Sequence, residues 1–400
     1  MIRVLFVDDE QSLLDGLRNI LRKQRHEWDV VFALGGAAGL LELAKAPADV
    51  VVSDMRMPGM DGATFLQRGR DAYPGTVRIV LSGDADREAV MKTLPVAHQH
   101  ISKPCAAERL ISVVNRTRNL HQHLDNASLR SVIAGLDHLP SEPRVYLDIM
   151  SAAGQPSTTL DDVTEIVERD PALVAKVLQL TNSAYFGLSR ELGSIREAVQ
   201  HLGLDVLKGL ALSGHVFGTS QASAQDSFLG RLQHHSLHTA RLARTLAASQ
   251  RGAEEAFTAA IVHDIGEIVM ASARGAEYVE GRRLAKVEGR LVHEVEEEMF
   301  GTTHAGVGAY LLGMWGLPLA VIETTAYHHR PRVASAETRQ VLGPVYVADV
   351  LADWAEQTSA GLAVAPQFDD QFLEACGIIP DLPRWTDLAR ALTQPAASAA

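Results

Sequence analysis

Cysteines and long apolar runs are both scarce in this sequence, and each absence excludes a class of protein. The only cysteines among its 400 residues are Cys105 and Cys376. Two thiols so far apart are typical of reduced side chains, whereas a small secreted domain would need a framework of disulfides. No stretch approaches the roughly 18 consecutive apolar residues of a membrane span, and residues 1–9 do not form a secretory signal pattern. The sequence therefore predicts a cytoplasmic protein without membrane insertion.

Positive charge is also in short supply. The chain has 37 Lys and Arg residues against 49 Asp and Glu residues, for a formal net charge of −12. Binding along nucleic acid requires clustered Lys and Arg that neutralise phosphates, so nucleic acid is not an expected partner. The composition is 46% hydrophobic and 22% charged, which is typical of folded domains. The length is enough for two or three of them.

The first 120 residues alternate short apolar segments with longer amphipathic ones. The short segments are β-branched and end in polar or turn residues, which predicts buried strands, and the longer ones carry leucines at helical spacing. Strands that alternate with helices indicate a parallel sheet covered on both faces. The predicted strands lie at Val4–Val7, Val30–Phe32, Val50–Val52, Ile79–Leu81 and Ala97–Ile101.

After this region the pattern becomes helical and no series of strands follows. We expect a connector helix within residues 105–131, an all-helical domain at 132–390 and a flexible tail at 391–400. Two helix starts are explicit in the second domain. Thr159 has an acidic residue three positions later, and Asp170 is followed by a proline at the first helical position. The chain is thus predicted to be a multidomain protein, α/β followed by all-α.

Chemically suited side chains follow four of the predicted strands. Functional groups gather at the carboxyl ends of parallel strands. Carboxylates that meet there repel one another unless they share a hard cation, and Mg²⁺ suits oxygen ligands. A lysine and a hydroxyl beside them can hold the oxygens of a phosphoryl group. The side chains at these strand ends are Asp8 and Asp9, Asp54, Ser82 and Lys103.

These residues and their neighbours resemble the receiver domain of two-component response regulators, over residues 1–120. The resemblance implies a flavodoxin-like (βα)5 fold with a parallel five-stranded sheet and a cognate sensor histidine kinase as partner. It implies Asp54 as the phosphoacceptor, Mg²⁺ held with Asp8 and Asp9, and phosphate contacts from Ser82 and Lys103. It also implies a cis peptide bond before Pro104. The motifs that carry it are Val7–Glu10, Ser53–Gly62, Leu81–Gly83 and Ser102–Pro104.

One position departs from the receiver pattern. Receivers usually carry Tyr or Phe three residues before the Lys-Pro pair, where the ring swings inward on activation. This chain has His100 there. Two alternatives stay open: the histidine performs the switch, or it is an exposed polar residue at the edge of the sheet.

The second domain contains a series of histidines and aspartates that suits a divalent transition metal. Imidazole and carboxylate ligands together favour Mn, Fe, Zn or Ni, and an aspartate can bridge two such ions. A water between them would have a lowered pKa and could attack a phosphoester. Each histidine alone is more often a hydrogen-bonded core residue than a ligand. The candidate ligands are His235, His263, Asp264, His304, His328, His329 and Asp349, with the choice between His328 and His329 left open.

The order of this series resembles the HD superfamily of metal-dependent phosphohydrolases, and residues 132–390 resemble its HDOD branch most. That resemblance implies a non-catalytic signalling module that often lacks most metal ligands, whereas this chain keeps a nearly full set. The catalytic HD-GYP branch carries Lys where this chain has Glu267, and its Gly-Tyr-Pro motif is absent after His329. The motifs that carry the HDOD resemblance are Leu139–Pro140, Asp170–Lys176, Thr181–Gly187, Ala198–Gly203, His263–Gly266 and His328–Pro331.

Two functions follow from these resemblances. In the first, phosphorylation of Asp54 switches the helical domain, which then acts by contact with a downstream signalling protein. In the alternative, the helical domain is a metal-dependent phosphohydrolase, similar to cyclic dinucleotide phosphodiesterases, that the receiver gates. Receivers and their connector helices often pair, so a homodimer is one alternative for the assembly.

Overall fold

The computed structural model describes most of the chain. The described residues are 1–83, 93, 96–103, 105, 107–123, 132, 139–140, 145, 148–149, 151–152, 158–182, 190–212, 217–218, 224–359, 365–378 and 381–393. Pro104 and its predicted cis bond lie outside them, as do the final part of the predicted connector and the tail after residue 393.

The N-terminal part is built on a parallel five-stranded sheet. Its order is β2-β1-β3-β4-β5, the doubly wound order expected of a flavodoxin-like domain. All five predicted strands are present, and the last lies slightly later than the pattern indicated. The strands are β1 (Ile2–Asp8), β2 (Trp28–Leu34), β3 (Val50–Asp54), β4 (Val77–Gly83) and β5 (Gln99–Lys103).

Helices cover both faces of this sheet, so its strands are buried on both sides. Alternate residues of β1 face opposite ways: Val4 and Phe6 join one hydrophobic cluster, whereas Leu5 and Val7 join the other. A short 3-10 helix at Leu21–Gln24 follows the first α-helix. The described helices here are α1 (Gln11–Ile20), α2 (Gly36–Lys45), α3 (Gly62–Ala72) and α4 (Ala107–His123).

The C-terminal part is helical, as predicted. Among its described residues, two short strands, β6 (Leu139–Pro140) and β7 (Phe217–Gly218), pair in parallel. The sequence pattern did not indicate this pair. The helices are α5 (Leu160–Val167), α6 (Pro171–Asn182), α7 (Ile195–Leu212), α8 (Ala224–Leu246), α9 (Gln250–Val262), α10 (Ile265–Arg274), α11 (Ala276–Glu288), α12 (Val292–Phe300), α13 (His304–Met314), α14 (Leu319–Tyr327), α15 (Arg339–Ser359), α16 (Asp370–Ala375) and α17 (Leu382–Thr393).

Both predicted helix starts are confirmed. Thr159 and Asp162 form a capping box at α5, in which each side chain bonds the backbone of the other. Asp170 Oδ1 accepts hydrogen bonds from the amides of Ala172 and Leu173, at 2.9 and 3.1 Å. Such caps satisfy amides that have no partner within a helix.

The stretch Gln250–Arg274 is long and apolar enough to cross a membrane, but 89% of its most apolar window is buried inside the protein. It consists of α9 and α10, which pack against other helices. Burial of most of this window against other helices accounts for its apolar character.

Candidate phosphoacceptor and metal sites

The predicted phosphoacceptor site assembles at the carboxyl edge of the sheet. Lys103, at the end of β5, places Nζ 2.5 Å from Asp54 Oδ1 and 3.0 Å from Asp8 Oδ2. Asp8 and Asp54 are buried, and Asp9 is half-buried beside them. Partial burial opposes the charge of Lys103, but hydrogen bonds to Asp54 and Asp8 outweigh it and raise the pKa of the lysine. The site thus holds buried carboxylates around one cation.

The loop after β3 holds Asp54 in place. Asp54 Oδ2 accepts a 2.9 Å hydrogen bond from the amide of Arg56, and the amide of Gly62 donates to the carbonyl of Met55 at 2.9 Å. A Cβ on Gly62 would lie 2.2 Å from the carbonyl oxygen of Asp54. Only glycine fits so close an approach, which gives a physical reason for the glycine in this motif.

Ser82 and His100 lie in the sheet next to this site. Ser82 is buried, and its hydroxyl has no hydrogen-bond partner among the residues that the structure describes. His100 is also buried, in contrast to the alternative of an exposed edge residue, and its Nε2 lies 2.8 Å from Thr93 Oγ1. Burial, together with the charge of Lys176, lowers the pKa of His100 to about 3. The ring is therefore neutral at physiological pH.

The seven candidate metal ligands of the second domain converge from five places in the chain. His263 and Asp264 form the junction between α9 and α10. Convergence of residues this far apart requires the tertiary fold. His235 lies in α8, His304 begins α13, His328 and His329 follow α14, and Asp349 lies in α15.

One group of ligands surrounds one carboxylate oxygen of Asp264. His263 Nε2 lies 3.3 Å from Asp264 Oδ2 and 3.4 Å from Asp349 Oδ1. His235 Nε2 lies 3.8 Å from the first oxygen and 3.1 Å from the second. These four side chains form a first subsite of two imidazoles and two carboxylates.

The other oxygen of Asp264 belongs to a second group. His304 Nε2 and His328 Nε2 each lie 3.4 Å from Asp264 Oδ1, and 3.4 Å from each other. His329 Nε2 is 3.0 Å from His304 Nε2, so both members of the histidine pair approach this subsite. Asp264 is positioned to bridge the two subsites, one oxygen to each.

In three of these histidines, a contact at Nδ1 fixes the position of the ring and leaves Nε2 toward the centre. His263 Nδ1 lies 2.6 Å from the carbonyl of Ala260, and His328 Nδ1 lies 2.8 Å from that of Thr325. A carbonyl only accepts, so each Nδ1 carries a hydrogen, and each Nε2 presents its lone pair when the ring is neutral. His304 Nδ1 is 2.6 Å from Glu296 Oε2. Metal-binding histidines are usually oriented by such contacts.

The spacing of these atoms fits a metal centre. Ligands about 2.1 Å from a tetrahedral ion are about 3.4 Å apart, and the ligand pairs within the two subsites are 3.0–3.8 Å apart. His263 Nε2 is buried and has no hydrogen-bond partner within the described part of the chain. Burial would raise the pKa of Asp264, but the charges of His263 and His304 and a hydrogen bond from His328 hold it well below the usual range.

Several side chains around the centre were not identified from the sequence. Glu296 stands in an acidic run of the sequence, yet it is buried and accepts hydrogen bonds from the amide of His304 at 2.8 Å and from Tyr278 at 2.7 Å. The sequence signal that could have indicated its burial is the position of Glu296 next to Val295 and four residues before Phe300. His238 is also buried, and its Nε2 faces the carbonyl of Ala389.

Glu267, the residue that departs from the catalytic branch, is buried near Asp264 and His304. It pairs with Arg282 of α11. Burial raises the pKa of Glu267, and the charge of Arg282 opposes that rise. The positive charge missing at position 267 is thus present on the neighbouring helix.

Family models match both parts of the chain. The response regulator receiver domain matches residues 4–115, and the HDOD domain matches residues 139–331. The two matches correspond to the sheet-containing and helical parts of the fold.

Curated relatives match portions of the chain. The sensory transduction protein RegX3 of Mycolicibacterium smegmatis is 30% identical over 158 residues, which are 40% of this chain and 68% of that protein. An uncharacterized protein of Treponema pallidum is 28% identical over 247 residues, 61% of this chain. The chain spans 48% of the Treponema protein's length. Among solved structures, the MmoQ response regulator of Methylococcus capsulatus is 25% identical, with a TM-score of 0.48, over 64% of this chain and 98% of that one.

Proposed function

We propose that this chain, which belongs to the response regulators and joins a receiver domain to an HDOD domain, is switched by phosphorylation of Asp54. The observation that carries this proposal is the position of Lys103, which bridges Asp54 and Asp8. The kinase that supplies the phosphoryl group would be a sensor histidine kinase. The HDOD domain would then act by contact with a downstream signalling protein.

The residues around Asp54 can each serve this transfer. From acetyl phosphate, an oxygen of Asp54 would form the bond to phosphorus, while the bond from phosphorus to acetate breaks and acetate leaves with the electron pair. Lys103 can hold the phosphoryl oxygens as a fixed positive charge, and the hydroxyl of Ser82 can donate to them. Mg²⁺ held by Asp8, Asp9 and Asp54 would neutralise the charge that accumulates there.

The test is phosphorylation of the full chain with acetyl phosphate and Mg²⁺, followed by intact-mass measurement and hydrogen exchange. The wild type should gain one phosphoryl group, and Asp54→Ala should gain none. Asp71→Ala, which removes an exposed carboxylate in the same domain, should behave like the wild type. Labelling of Asp54→Ala would refute the phosphoacceptor. Hydrogen exchange in the HDOD domain that does not change when the chain is phosphorylated would refute the switch.

A second candidate function is metal-dependent hydrolysis of a phosphoester by the HDOD domain. It is favoured by the convergence of imidazole Nε2 atoms and carboxylate oxygens on the two oxygens of Asp264. A pair of divalent transition ions would supply an activated water and neutralise phosphate charge. Arg282 can offset the negative charge of Glu267 near an anionic substrate.

Metal content followed by an assay of turnover tests this second candidate. The chain would be reconstituted with Mn, Fe or Zn in excess Mg²⁺, desalted, and analysed by mass spectrometry. About two tightly held ions are expected, and Asp264→Ala should lose them. The control Asp387→Ala changes an exposed aspartate and should retain them. Hydrolysis of cyclic dinucleotides or model phosphodiesters that Asp264→Ala lacks would support the enzyme, whereas bound metal without any turnover would refute it.

A further inference from the structure

One strand and one helix connect the two sites. β5 ends at Lys103, which contacts Asp54, and begins at Gln99. Gln99 Nε2 donates a 2.8 Å hydrogen bond to the carbonyl oxygen of Met314. Met314 is the last residue of α13, and His304, which faces Asp264, is the first. The path from the phosphoacceptor to the histidine centre is therefore β5, one hydrogen bond and α13.

A second polar contact lies beside this hydrogen bond. Gln179 of α6 donates a 2.9 Å hydrogen bond to the carbonyl of His98, the residue before β5. Its Oε1 accepts from Lys176 Nζ at 2.9 Å. Gln99 and Gln179 are buried, where a polar group without a partner is costly. Loss of either contact without a replacement partner would therefore be costly, so the docking of β5 against α13 and α6 resists gradual change.

The helix in this path, α13, is closely packed along its length, so we expect any displacement of it to be that of a rigid element. α13 packs against α10 and α14 on the HDOD side and against α4 of the receiver. A Cβ on Gly308 would lie 3.0 Å from the amide nitrogen of Gly266, so the backbones of α13 and α10 are in close contact. A shift at Met314 would be passed to His304, because packed interiors do not absorb such shifts gradually.

We propose that the hydrogen bond from Gln99 to Met314 couples the phosphorylation state of Asp54 to the metal affinity of the histidine–aspartate centre. The coupling acts through β5 and α13, which change their docking together when the partner of Lys103 changes. This inference rests on the proposed function, because it requires both a phosphorylated Asp54 and a centre that binds metal.

The test measures Mn²⁺ affinity of the full chain by calorimetry in excess Mg²⁺, with and without beryllofluoride, a phosphoryl analogue for aspartate. The two affinities of the wild type should differ by at least roughly fivefold, as in other coupled sites. Reciprocity requires Mn²⁺ to change the beryllofluoride affinity by the same factor. Asp54→Ala should show one Mn²⁺ affinity under both conditions.

Gln99→Met tests the coupling residue, because it keeps the side-chain length and removes the donor. It should bring the affinity ratio to about one while leaving Mn²⁺ affinity without beryllofluoride within roughly twofold of the wild type. A purely structural role would lower both affinities together. The control Gln11→Met changes an exposed glutamine of the receiver and should keep the full ratio. A full ratio in folded Gln99→Met overturns the proposal.

A second variant keeps the test valid if Gln99→Met does not fold. Gln179→Met removes the neighbouring hydrogen bond to His98 and should reduce the ratio at least roughly twofold; an undiminished ratio contradicts the proposal. Absence of beryllofluoride binding in the wild type would contradict the proposed phosphoacceptor instead, and absence of Mn²⁺ binding would contradict the metal centre of the second candidate function. Binding of both with a ratio of one in the wild type would contradict this inference alone.

Discussion

Lys176 is an ionisable side chain buried at the boundary between the receiver and the helical domain. Its Nζ lies 4.4 Å from the ring centre of Trp315 and bonds Gln179. Burial lowers the pKa of Lys176 from 10.5 to about 7. Lys176 therefore loses its proton at a lower pH in the folded chain than in the unfolded chain.

This difference in the pKa of Lys176 makes the stability of the protein depend on pH. Between pH 7 and 10.5 the unfolded chain carries a proton on Lys176 that the folded chain has lost. The free energy of unfolding therefore rises with pH in this window, by up to about 1.4 kcal/mol per unit. Lys176→Met should lack that rise. Chemical denaturation at pH 7, 8 and 9 measures it, with Lys45→Met, at an exposed lysine, as control. Equal slopes in wild type and Lys176→Met would contradict the prediction.

The junction between α10 and α13 shows what whole elements contribute to the metal centre. Gly266, in α10, faces the start of α13 so closely that a Cβ would lie 1.9 Å from the carbonyl oxygen of His304. Gly266 belongs to the His-Asp-x-Gly motif. The glycine keeps the helix that begins after Asp264 in contact with the helix that begins at His304.

Gly266→Ala should therefore separate the two helices. We expect it to lower the free energy of unfolding by at least about 2 kcal/mol, because overpacked backbone contacts relax poorly, and to weaken metal binding through the displaced His304. Gly230→Ala is the matched control, since a Cβ there meets nothing within 4 Å and alanine favours a helix. Denaturation and calorimetry on both variants test this. A Gly266→Ala protein as stable as the wild type would show that the contact is not a constraint.

The whole molecule is acidic, with a formal net charge of −12. Nonspecific DNA binding comes from neutralised phosphates, so this balance opposes it. We expect the chain to bind generic duplex DNA more weakly than roughly 10⁻⁴ M at physiological salt. Fluorescence anisotropy at several salt concentrations measures it. Micromolar binding that weakens steeply with salt would reveal a local basic surface and would contradict this expectation.

The sequence by itself determined the class of each part, because strand ends, caps and apolar spacing are local. Asp8, Asp54 and Lys103 follow strands whose order brings them together, so their meeting was predictable from a parallel sheet. Tertiary packing decided which histidine atoms converge, and it buried Glu296 and His238. The contact of Gln99 with Met314 joins residues 215 positions apart. No local pattern encodes it, since docking of two domains depends on the shapes of both surfaces.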